Sequence, residues 1–587
     1  MVLYLATICF AAASLMLPAA AKAAPGVNED QRLEKFKKLF LNYYWRINPV
    51  DAIYTGYHRY DSLLVVPDAK FFNFQRTTLK MLGDSLKTYE VTKLSPNMRT
   101  DYYLMRDKVE SMLWYINEYR DYEWNPASYN VGGEFAEILN SRFEKLDARL
   151  RILLSRMKNI DAYYRAAMAN IKNPVIEHTD LAILQNEGSL DVFGQQLEDS
   201  LKVSGLSLSE KKMFRERMGL AKESISTYIE YLKNIRKNQT VDNSRSFRLG
   251  KELYDAKFRF DIRSGYTAEQ IYKKALERKE ELLVNMAVVS RQLWSKYMGD
   301  APIPDEDKSM IRTIIEKVSE THVHRDSFIQ SIEKQIPELA AFVNDKNLLY
   351  LDPTKPLVVR KTPPYMEGGG AGASISSPGP YDPGGNTYYN VSLLTDYTPE
   401  KAESYLREYN HYMLQILNIH EAIPGHYAQL VYANKSPSLI KSILGNGAMI
   451  EGWAVYSERM MLEEGYGKDA PEMWLMYYKW HLRSVCNTIL DYSVHVNGWS
   501  EKVAVKFLTD DAFQQAAEAE GKWRRVKLTQ VQLCSYFTGY TEIYDLREEL
   551  KAKMGKEFDL RKFHEKFLSY GSAPVPYIRE LMLNDLK

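Results

Sequence analysis

The sequence predicts a mainly α-helical fold with one small β element. Apolar residues recur at intervals of three and four in segments such as "RLEKFKKLFLNYYWRI" and "SRFEKLDARLRILLSRMKNIDAYYRAAMANI", which is the pattern of amphipathic helices. Short β-prone runs bounded by Pro and Gly are concentrated in about residues 349–397. The chain has 587 residues, of which 45% are apolar, so it can bury one large core or two joined cores.

Residues 1–23 have the features of a secretory signal peptide. An apolar stretch is followed by Ala21-Lys22-Ala23, a small-x-small cleavage pattern, and then by the polar run "NEDQRLEKF". The alternative is a short membrane anchor. Cys9 is a poor site for lipid attachment, because the bulky Ile8 precedes it. We therefore expect a secreted or periplasmic protein, with a lipid anchor as the weaker alternative.

Two helical regions follow the signal peptide. The first, residues 24–243, reads as successive amphipathic helices. The polar passage "RKNQTVDNSRSFRLG" then separates it from residues 244–587, where further helices are predicted over about residues 251–297 and 307–335. We place a soft boundary near residue 243.

The predicted β element lies inside the second region. The runs "LYLDPTKPLVVRKTPPYM" and "NTYYNVSLL" flank the loop "EGGGAGASISSPGPYDPGG". Such a loop is either a hinge or cover beside a substrate, or a flexible connector. After Pro399 the pattern is helical again almost to the end of the chain.

The charge balance and the apolar segments exclude two kinds of partner, and the cysteine content bears on disulfide formation. Lys and Arg (77) nearly balance Asp and Glu (76), and no basic run forms a patch, so nucleic acid is not expected as a partner. No later segment offers about 18 uninterrupted apolar residues, so no stable membrane insertion is expected after the signal is removed. Beyond Cys9 only Cys486 and Cys534 remain, which we interpret as free buried thiols rather than a disulfide. The sequence leaves the oligomeric state open.

The segment "NIHEAIPGHYAQL" contains the residue types of a zinc-protease helix at an unusual spacing. The common pattern places two histidines four residues apart, with a Glu after the first as general base. Here His426 comes six residues after His420, which on an ideal helix leaves the two side chains roughly 120° apart. Pro424 cannot continue a regular helix, and Gly425 permits an unusual backbone. The Pro-Gly pair could therefore return His426 to a shared metal ion.

A catalytic zinc site needs a third protein ligand, commonly Glu or His from another helix. The segment "GNGAMIEGWAVYSERMMLEEGYG" offers Glu451 and Glu458. They share a helix face but are about 10.5 Å apart along the axis, so only one can be a direct ligand. We favour Glu451 as the ligand and Glu458 as the residue that holds a histidine or arginine behind it. With ten histidines in the chain, a His-Glu pair is also expected by chance.

Four ordered motifs make the sequence resemble a bacterial family known as domain of unknown function eight-eight-five. They are "HEAIPGHYAQL", "EGWAVYSERMMLEEGYG", "DYSVHVNGWS" and "QLCSYFTGYTEIYDLRE". The motifs cover the second half of the chain, whereas the first half agrees mainly in being helical. The chain departs from the family at Gln530-Val531, where Pro-Gly is usual, and at Phe537, where Lys is frequent. These changes affect the expected turn and any role of that lysine.

The resemblance implies both a fold and a chemistry. The family is secreted or lipid-anchored and is similar to the gluzincin zinc metallopeptidases. It thus implies a large helical gluzincin-like metallopeptidase fold, with a deep cleft and a small β-sheet near the active-site helix. It also implies one Zn²⁺ per chain held by His420, His426 and Glu451, with Glu421 as the catalytic base.

The expected reaction is hydrolysis of oligopeptides by metal-activated water, with Glu421 carrying the proton to the leaving amine. Tyr536 and His495 are the candidates for stabilising the oxyanion. His495 could equally be a helix-face histidine satisfied by Asp491, four residues earlier.

Substrate alignment is expected from an exposed strand edge beside the metal helix. The candidate is "NTYYNVS", in which Tyr388 and Asn390 would contact the peptide.

Two other functions remain open from the sequence. One is a secreted helical binding protein without catalysis, which would tolerate Glu421→Gln. The other is a zinc amidase that acts on cell-wall peptides with the same site residues. The presence of Glu421 beside a complete set of candidate ligands favours an enzyme.

Overall fold

The computed structural model describes residues 28–362, 373–382, 384–394 and 397–586. The predicted signal peptide, residues 1–23, lies outside the described residues. The chain is mainly helical and carries one small three-stranded sheet, as the sequence predicts. None of the helices in the described part is both long and apolar enough to cross a membrane.

In the described residues, ten α-helices form the first part of the chain. Several begin with Pro in the first turn or with a side-chain cap, and the longest begins with a reciprocal capping box between Ser207 and Glu210. The bounds are α1 (Glu29–Ile47), α2 (Pro49–Tyr54), α3 (Ala69–Leu86), α4 (Pro96–Trp114), α5 (Gly132–Asn140), α6 (Leu146–Met157), α7 (Ile160–Asn170), α8 (Ile176–Val192), α9 (Gln195–Val203) and α10 (Leu208–Asn238).

The sheet lies between two further groups of helices. Four helices precede it: α11 (Gly250–Asp261), α12 (Ala268–Met298), α13 (Asp307–Val318) and α14 (Phe328–Asp345). The strands are β1 (Leu357–Lys361), β2 (Ala373–Ser376) and β3 (Thr387–Val391). Eleven helices follow: α15 (Pro399–Glu408), α16 (His411–Glu421), α17 (His426–Asn434), α18 (Leu439–Ile443), α19 (Gly447–Glu463), α20 (Pro471–His495), α21 (Glu501–Asp510), α22 (Ala516–Thr529), α23 (Ser535–Met554), α24 (Leu560–Ser569) and α25 (Val575–Asn584).

The buried apolar residues form two clusters. The smaller cluster is built mainly from α5 to α10, between Tyr129 and Leu232. The larger one combines α1, α3 and α4 with the helices after residue 247, so the first helices of the chain pack in the same core as the motif-bearing helices. The boundary expected near residue 243 stays a prediction.

The sheet corrects the prediction of an edge strand at "NTYYNVS". The strand order is β1-β3-β2, so β3 is the central strand, parallel to β1 and antiparallel to β2. Its backbone is already paired on both sides and has no free edge for a peptide. The Asn390 side chain accepts from Arg360 Nε at 2.7 Å and donates to Ser376 Oγ at 2.8 Å, and the Arg360 guanidinium lies 3.8 Å above the Tyr388 ring. The side chains of Tyr388 and Asn390, the two predicted substrate residues, therefore contact other residues of the sheet.

The helices that carry the motifs pack around α16, which contacts α14, α19, α20 and β2. Helices α19 and α23 approach so closely that a Cβ at Gly452 would overlap the backbone of Gly539, and a Cβ at Gly539 would overlap the Ala448 carbonyl. Only glycine permits this contact. It brings the segment after Glu451 against the first turns of α23.

Candidate metal centre

The sequence between the two histidines ends one helix and starts another. Asn410 caps α16 by accepting hydrogen bonds from the backbone N–H groups of Tyr412 and Met413. The helix ends at Glu421, the Ile423–Pro424 peptide bond is cis, and α17 starts at His426. The predicted interruption at the Pro-Gly pair is confirmed.

Gly425 makes the interruption tight. Its N–H donates to the Ile419 carbonyl at 3.0 Å, and a Cβ at this position would overlap the His420 carbonyl. The Pro424 carbonyl accepts from the indole of Trp453 on α19 at 2.9 Å. The turn is thus fixed by its own backbone and by the helix that carries the third candidate ligand.

Three side chains from α16, α17 and α19 converge. His426 Nε2 lies 3.4 Å from Glu451 Oε2, and His420 Nε2 lies 3.8 Å from the same oxygen. One potential ligand atom from each residue falls within 4.8 Å of the other two. Among the residues that the structure describes, this is the cluster of His, Cys, Asp or Glu side chains that could hold a metal ion.

The separations fit a tetrahedral zinc ion. Bonds of about 2.0–2.1 Å at tetrahedral angles place neighbouring ligand atoms about 3.3 Å apart. The Nε2–Oε2 separation at His426 matches this value, and the one at His420 is slightly longer. Two imidazoles and one carboxylate are also the donor set of many catalytic zinc sites, in which a fourth position stays open.

Glu458 orients the His420 ring by a hydrogen bond on the side away from the other two candidate ligands. His420 Nδ1 donates to Glu458 Oε1 at 2.6 Å, so its Nε2 is left to face the cluster. Trp480 Nε1 on α20 donates to the same oxygen at 2.9 Å. Glu458 is fully buried, and this burial raises its pKa well above the usual value. The structure thus places Glu458 where the sequence predicts it, behind a histidine.

Burial and mutual charge set the protonation of the cluster. Burial lowers the pKa of His420 to about 3, so this imidazole is neutral, as a ligand must be. Burial acts in the same sense on His426, but the Glu451 carboxylate outweighs it and the pKa ends above its usual value. Burial alone would raise the pKa of Glu451, but His426 and His420 bring it below the usual range. These two shifts favour a protonated His426 beside an ionised Glu451, and a metal ion that binds His426 would have to displace that proton.

Glu421 is poised for proton transfer near neutral pH. It is the last residue of α16 and lies close enough to His426 and Glu451 for their charges to act on it. Burial raises its pKa to about 7. A carboxyl group with such a pKa can both take and release a proton at physiological pH.

Tyr536 lies beside the cluster. It is the second residue of α23, and the carboxylate of Glu451 is near enough to contribute to its raised pKa, although burial is the larger cause. Its hydroxyl oxygen accepts from Arg525 Nη2 at 2.9 Å, and the hydroxyl donates no hydrogen bond within the described part of the chain. The structure thus brings Tyr536 together with the candidate ligands.

His495 and Asp491 lie elsewhere, which corrects their expected roles. His495 Nε2 donates to the Val526 carbonyl at 2.9 Å, and in the described part of the chain its ring packs against Phe247 and Tyr254 rather than the metal cluster. Asp491 does not hold His495 through a hydrogen bond; its Oδ1 accepts from Tyr254 Oη at 2.8 Å and from Val531 N–H at 2.9 Å. Both residues hold the chain around the end of α22, because they bind the backbone on either side of it.

The same contacts stabilise the turn at Gln530-Val531, where the family usually has Pro-Gly. Both residues have positive φ, 31° for Gln530 and 72° for Val531, which is unfavourable for a β-branched side chain. Besides the bond to Asp491, the turn is held by Tyr119 Oη, which donates to Gln530 Oε1 at 2.8 Å. The turn therefore forms here without glycine, through buried hydrogen bonds.

Sequence reasoning missed several residues of the site. Asn418, two residues before His420, accepts from Tyr389 Oη at 2.8 Å and ties α16 to the central strand. Trp480 and Arg525 carry no local signal, since their positions depend on how α20 and α22 pack. Cys486 and Cys534 are both free and buried, as predicted.

Comparisons with known proteins agree with the motifs. A family model described as "Bacterial protein of unknown function (DUF885)" matches residues 49–582. No curated protein matches the chain. A solved structure of "a putative lipoprotein of unknown function" from Shewanella oneidensis is 54% identical, with a TM-score of 0.85 over 94% of this chain and 99% of that one. A second structure, "the putative lipoprotein" from Colwellia psychrerythraea, shares the fold at 16% identity, with a TM-score of 0.78 over 96% of this chain and 100% of that one.

Because the family model matches residues 49–582, a range that includes the four motifs, this chain belongs to the DUF885 family of bacterial proteins of unknown function.

Proposed function

We propose that this protein is a zinc-dependent metallopeptidase that hydrolyses oligopeptides. The observation that carries the proposal is the convergence of His420, His426 and Glu451 at separations that suit one zinc ion, with Glu421 beside them. The convergence requires an interrupted helix and a third helix, which a chance His-Glu pair would not supply.

Each residue of the site has a separate role in the proposed peptide hydrolysis. A bound zinc ion would supply a Lewis acid that acidifies water and polarises the substrate carbonyl. Glu421 takes a proton from the attacking water and passes it to the leaving amine, for which a pKa of about 7 is well matched. Tyr536 donates its hydroxyl proton to the developing oxyanion, held in place by Arg525.

A gluzincin-like fold with a substrate cleft belongs to the same proposal. It is supported by the mainly helical architecture and by a third ligand that comes from a separate, later helix. Since β3 is central, backbone pairing with a peptide falls to an edge strand. We propose β2 (Ala373–Ser376), which is an edge of the sheet and packs against α16.

Metal analysis combined with a peptide assay tests the proposal. The protein from Ala24 onward, zinc-loaded, is compared with His426→Ala and Glu421→Gln against a mixed peptide library. We expect about one zinc per chain in the wild type and in inactive Glu421→Gln, but not in His426→Ala. His411→Ala is the matched control, because His411 is an exposed histidine on α16, the helix that carries His420 and Glu421.

The outcomes separate the competing functions. Stoichiometric zinc without hydrolysis of any peptide would contradict the peptidase. Peptide binding that is unaffected by zinc removal and by Glu421→Gln would favour a binding protein. Cleavage of cell-wall peptides alone would indicate an amidase.

We propose that the protein acts outside the cytoplasm, in the cell envelope or secreted. The support is the signal-like sequence of residues 1–23 together with the lipoprotein descriptions of the two similar structures. Cell fractionation of the full-length protein tests this location. Recovery of unprocessed protein in the cytoplasm would contradict it.

A further inference from the structure

A pair of cations on α22 lies beside the metal centre without carboxylate partners. Lys522 and Arg525 are three residues apart, so they share one face of the helix, and their charges act on each other. In residues 28–362, 373–382, 384–394 and 397–586, neither forms an ion pair with a carboxylate. Lys522 is only 4% exposed and makes no hydrogen bond within this part of the chain. We refer to these two residues as the cation pair.

The nearby carboxylates are already occupied. Glu518 pairs with Arg483 on α20, and Glu408 pairs with Lys479 at 2.7 Å. Together with Lys522, the charged side chains around Glu518 include more cations than carboxylates among the described residues. The four cations are Lys479, Arg483, Lys522 and Arg525, and the two carboxylates are Glu408 and Glu518.

The cation pair belongs to the surroundings of the metal centre. Arg525 Nη2 donates to Tyr536 Oη at 2.9 Å and to Gln532 Oε1 at 2.8 Å. The charge of Arg525 acts on the pKa of Glu451, and that of Arg483 acts on the pKa of His420, in each case as a minor cause. Cations thus face the candidate ligands from both α20 and α22.

An unpaired ammonium group inside a protein is costly. Removing it from water disfavours the charged form, and burial lowers the pKa of Lys522 well below its usual value. Buried Lys and Arg normally have anionic partners in the fold. A buried lysine without one, near the candidate metal centre, suits an anion that arrives with the substrate and favours the protonated form of the lysine.

We propose that Lys522 and Arg525 bind the C-terminal carboxylate of the peptide substrate, so that the enzyme removes residues from the carboxyl end of peptides. The inference rests on the proposed peptidase function. A carboxylate accepts the three unused donors of Lys522 and the remaining donors of Arg525 in charge-assisted hydrogen bonds. A substrate carboxylate could also come from an Asp or Glu side chain, and the test separates the two sources.

The chemical step is ordinary hydrolysis. The scissile C–N bond breaks, the hydroxyl of water adds to the carbonyl carbon, and its proton passes through Glu421 to the leaving amine. The terminal carboxylate is unchanged by the reaction. Its role is to fix which peptide bond lies at the metal.

Peptide binding to zinc-loaded Glu421→Gln protein tests the inference without catalysis. The probes are an N-acetylated alanine tetrapeptide with a free carboxylate, its C-terminal amide, and the same amide with one Ala replaced by Glu. We expect the free acid to bind roughly ten- to hundred-fold more tightly than either amide. Lys522→Met and Arg525→Gln, each added to this background, are expected to remove most of that preference.

Lys527→Met is the matched control, because Lys527 lies on the same helix but pairs with Glu177 at 3.4 Å. This variant should keep the full preference. Equal affinity for acid and amide, or a preference that survives in both cation-pair variants, would overturn the inference. Tighter binding of the Glu-containing amide than of the free acid would reassign the pocket to an acidic side chain and overturn the terminal assignment.

Thermal unfolding and product analysis complete the test. We expect Lys522→Met to keep or raise the wild-type melting temperature, because it removes a costly buried group and no ion pair; a large decrease would indicate a structural role instead. If the wild type cleaves no peptide, the proposed function fails, and the binding measurement still decides the cation pair. If it cleaves amidated and free peptides equally at internal bonds, the peptidase stands and the cation-pair inference fails.

Discussion

Replacing Glu458 tests the most completely defined contact of the candidate metal centre. Its Oε1 accepts two hydrogen bonds, from His420 Nδ1 at 2.6 Å and from Trp480 Nε1 at 2.9 Å, while Oε2 has no hydrogen-bond partner in the described part of the chain. Glu458→Ala removes the acceptor of both donors. Glu458→Gln keeps the oxygen that accepts them and places the amide nitrogen where Oε2 lies.

These contacts set the expected magnitudes. Loss of a partner behind a ligating histidine typically weakens metal binding 10- to 100-fold, or about 1.4–2.7 kcal/mol, and we expect this for Glu458→Ala. Two buried N–H donors without an acceptor cost about 1–3 kcal/mol each, so the free energy of unfolding of the metal-free protein should fall by about 2–6 kcal/mol. Glu458→Gln should change the zinc dissociation constant by less than about five-fold, because both hydrogen bonds remain.

Competition with a chromogenic chelator measures the zinc dissociation constant, and urea unfolding in the presence of a chelator measures stability. Glu464→Gln is the control, because Glu464 caps the end of the same helix, away from the metal ligands. A wild-type zinc affinity in Glu458→Ala would refute the role of Glu458 in orienting His420. An equal loss in Glu458→Gln and Glu458→Ala would show that its charge, rather than the accepting oxygen, supports the site.

Three further predictions address the turn, the oxyanion donor and the pH dependence of stability. Gly425→Ala should lower the unfolding free energy by about 2–3 kcal/mol and reduce bound zinc, because the new Cβ overlaps the His420 carbonyl; urea titration and metal analysis measure both effects. Tyr536→Phe should lower kcat roughly 100-fold with zinc content unchanged, and an unaltered kcat would remove it from the mechanism. Burial raises the pKa of Glu542 to about 7, so the unfolded chain releases this proton at lower pH than the folded one, and stability should fall as pH rises from about 4.5 to 7. Since the side chain is only half-buried, we expect this group to lower the unfolding free energy of the wild type by about 1–2 kcal/mol between pH 5 and pH 8, and Glu542→Gln to abolish that decrease. An equal change in unfolding free energy between the two pH values in variant and wild type would contradict this.

Local spacing explains why the three side chains of the candidate metal centre could be predicted to lie together. The interruption between His420 and His426 follows from Pro424 alone, since proline cannot donate the next helical hydrogen bond. The choice of Glu451 over Glu458 follows from helix geometry together with the family motif. In each case the determining groups lie within a few residues of one another.

Packing explains why other predictions failed. β3 pairs with β1 at a separation of 30 residues, Leu357 with Thr387, and nothing in "NTYYNVS" shows that strands lie on both of its sides. The role of His495 depended on the path of the chain after α22, which brings the Val526 carbonyl to its ring. Spacing within one helix, such as Asp491 to His495, could not reveal either partner.

The contact between Gly452 and Gly539 limits how the protein could move. Backbones that touch leave no layer of side chains that could slide or repack, so α19 and α23 form one rigid unit. The candidate ligand Glu451 and the hydroxyl of Tyr536 are therefore held at a fixed relative position before a substrate arrives, and substrate binding need not bring them together. Any opening that admits a peptide must occur between this unit and other elements, such as the sheet. Cross-links between α19 and α23 should consequently leave turnover intact, whereas cross-links from β2 to the helices should slow it.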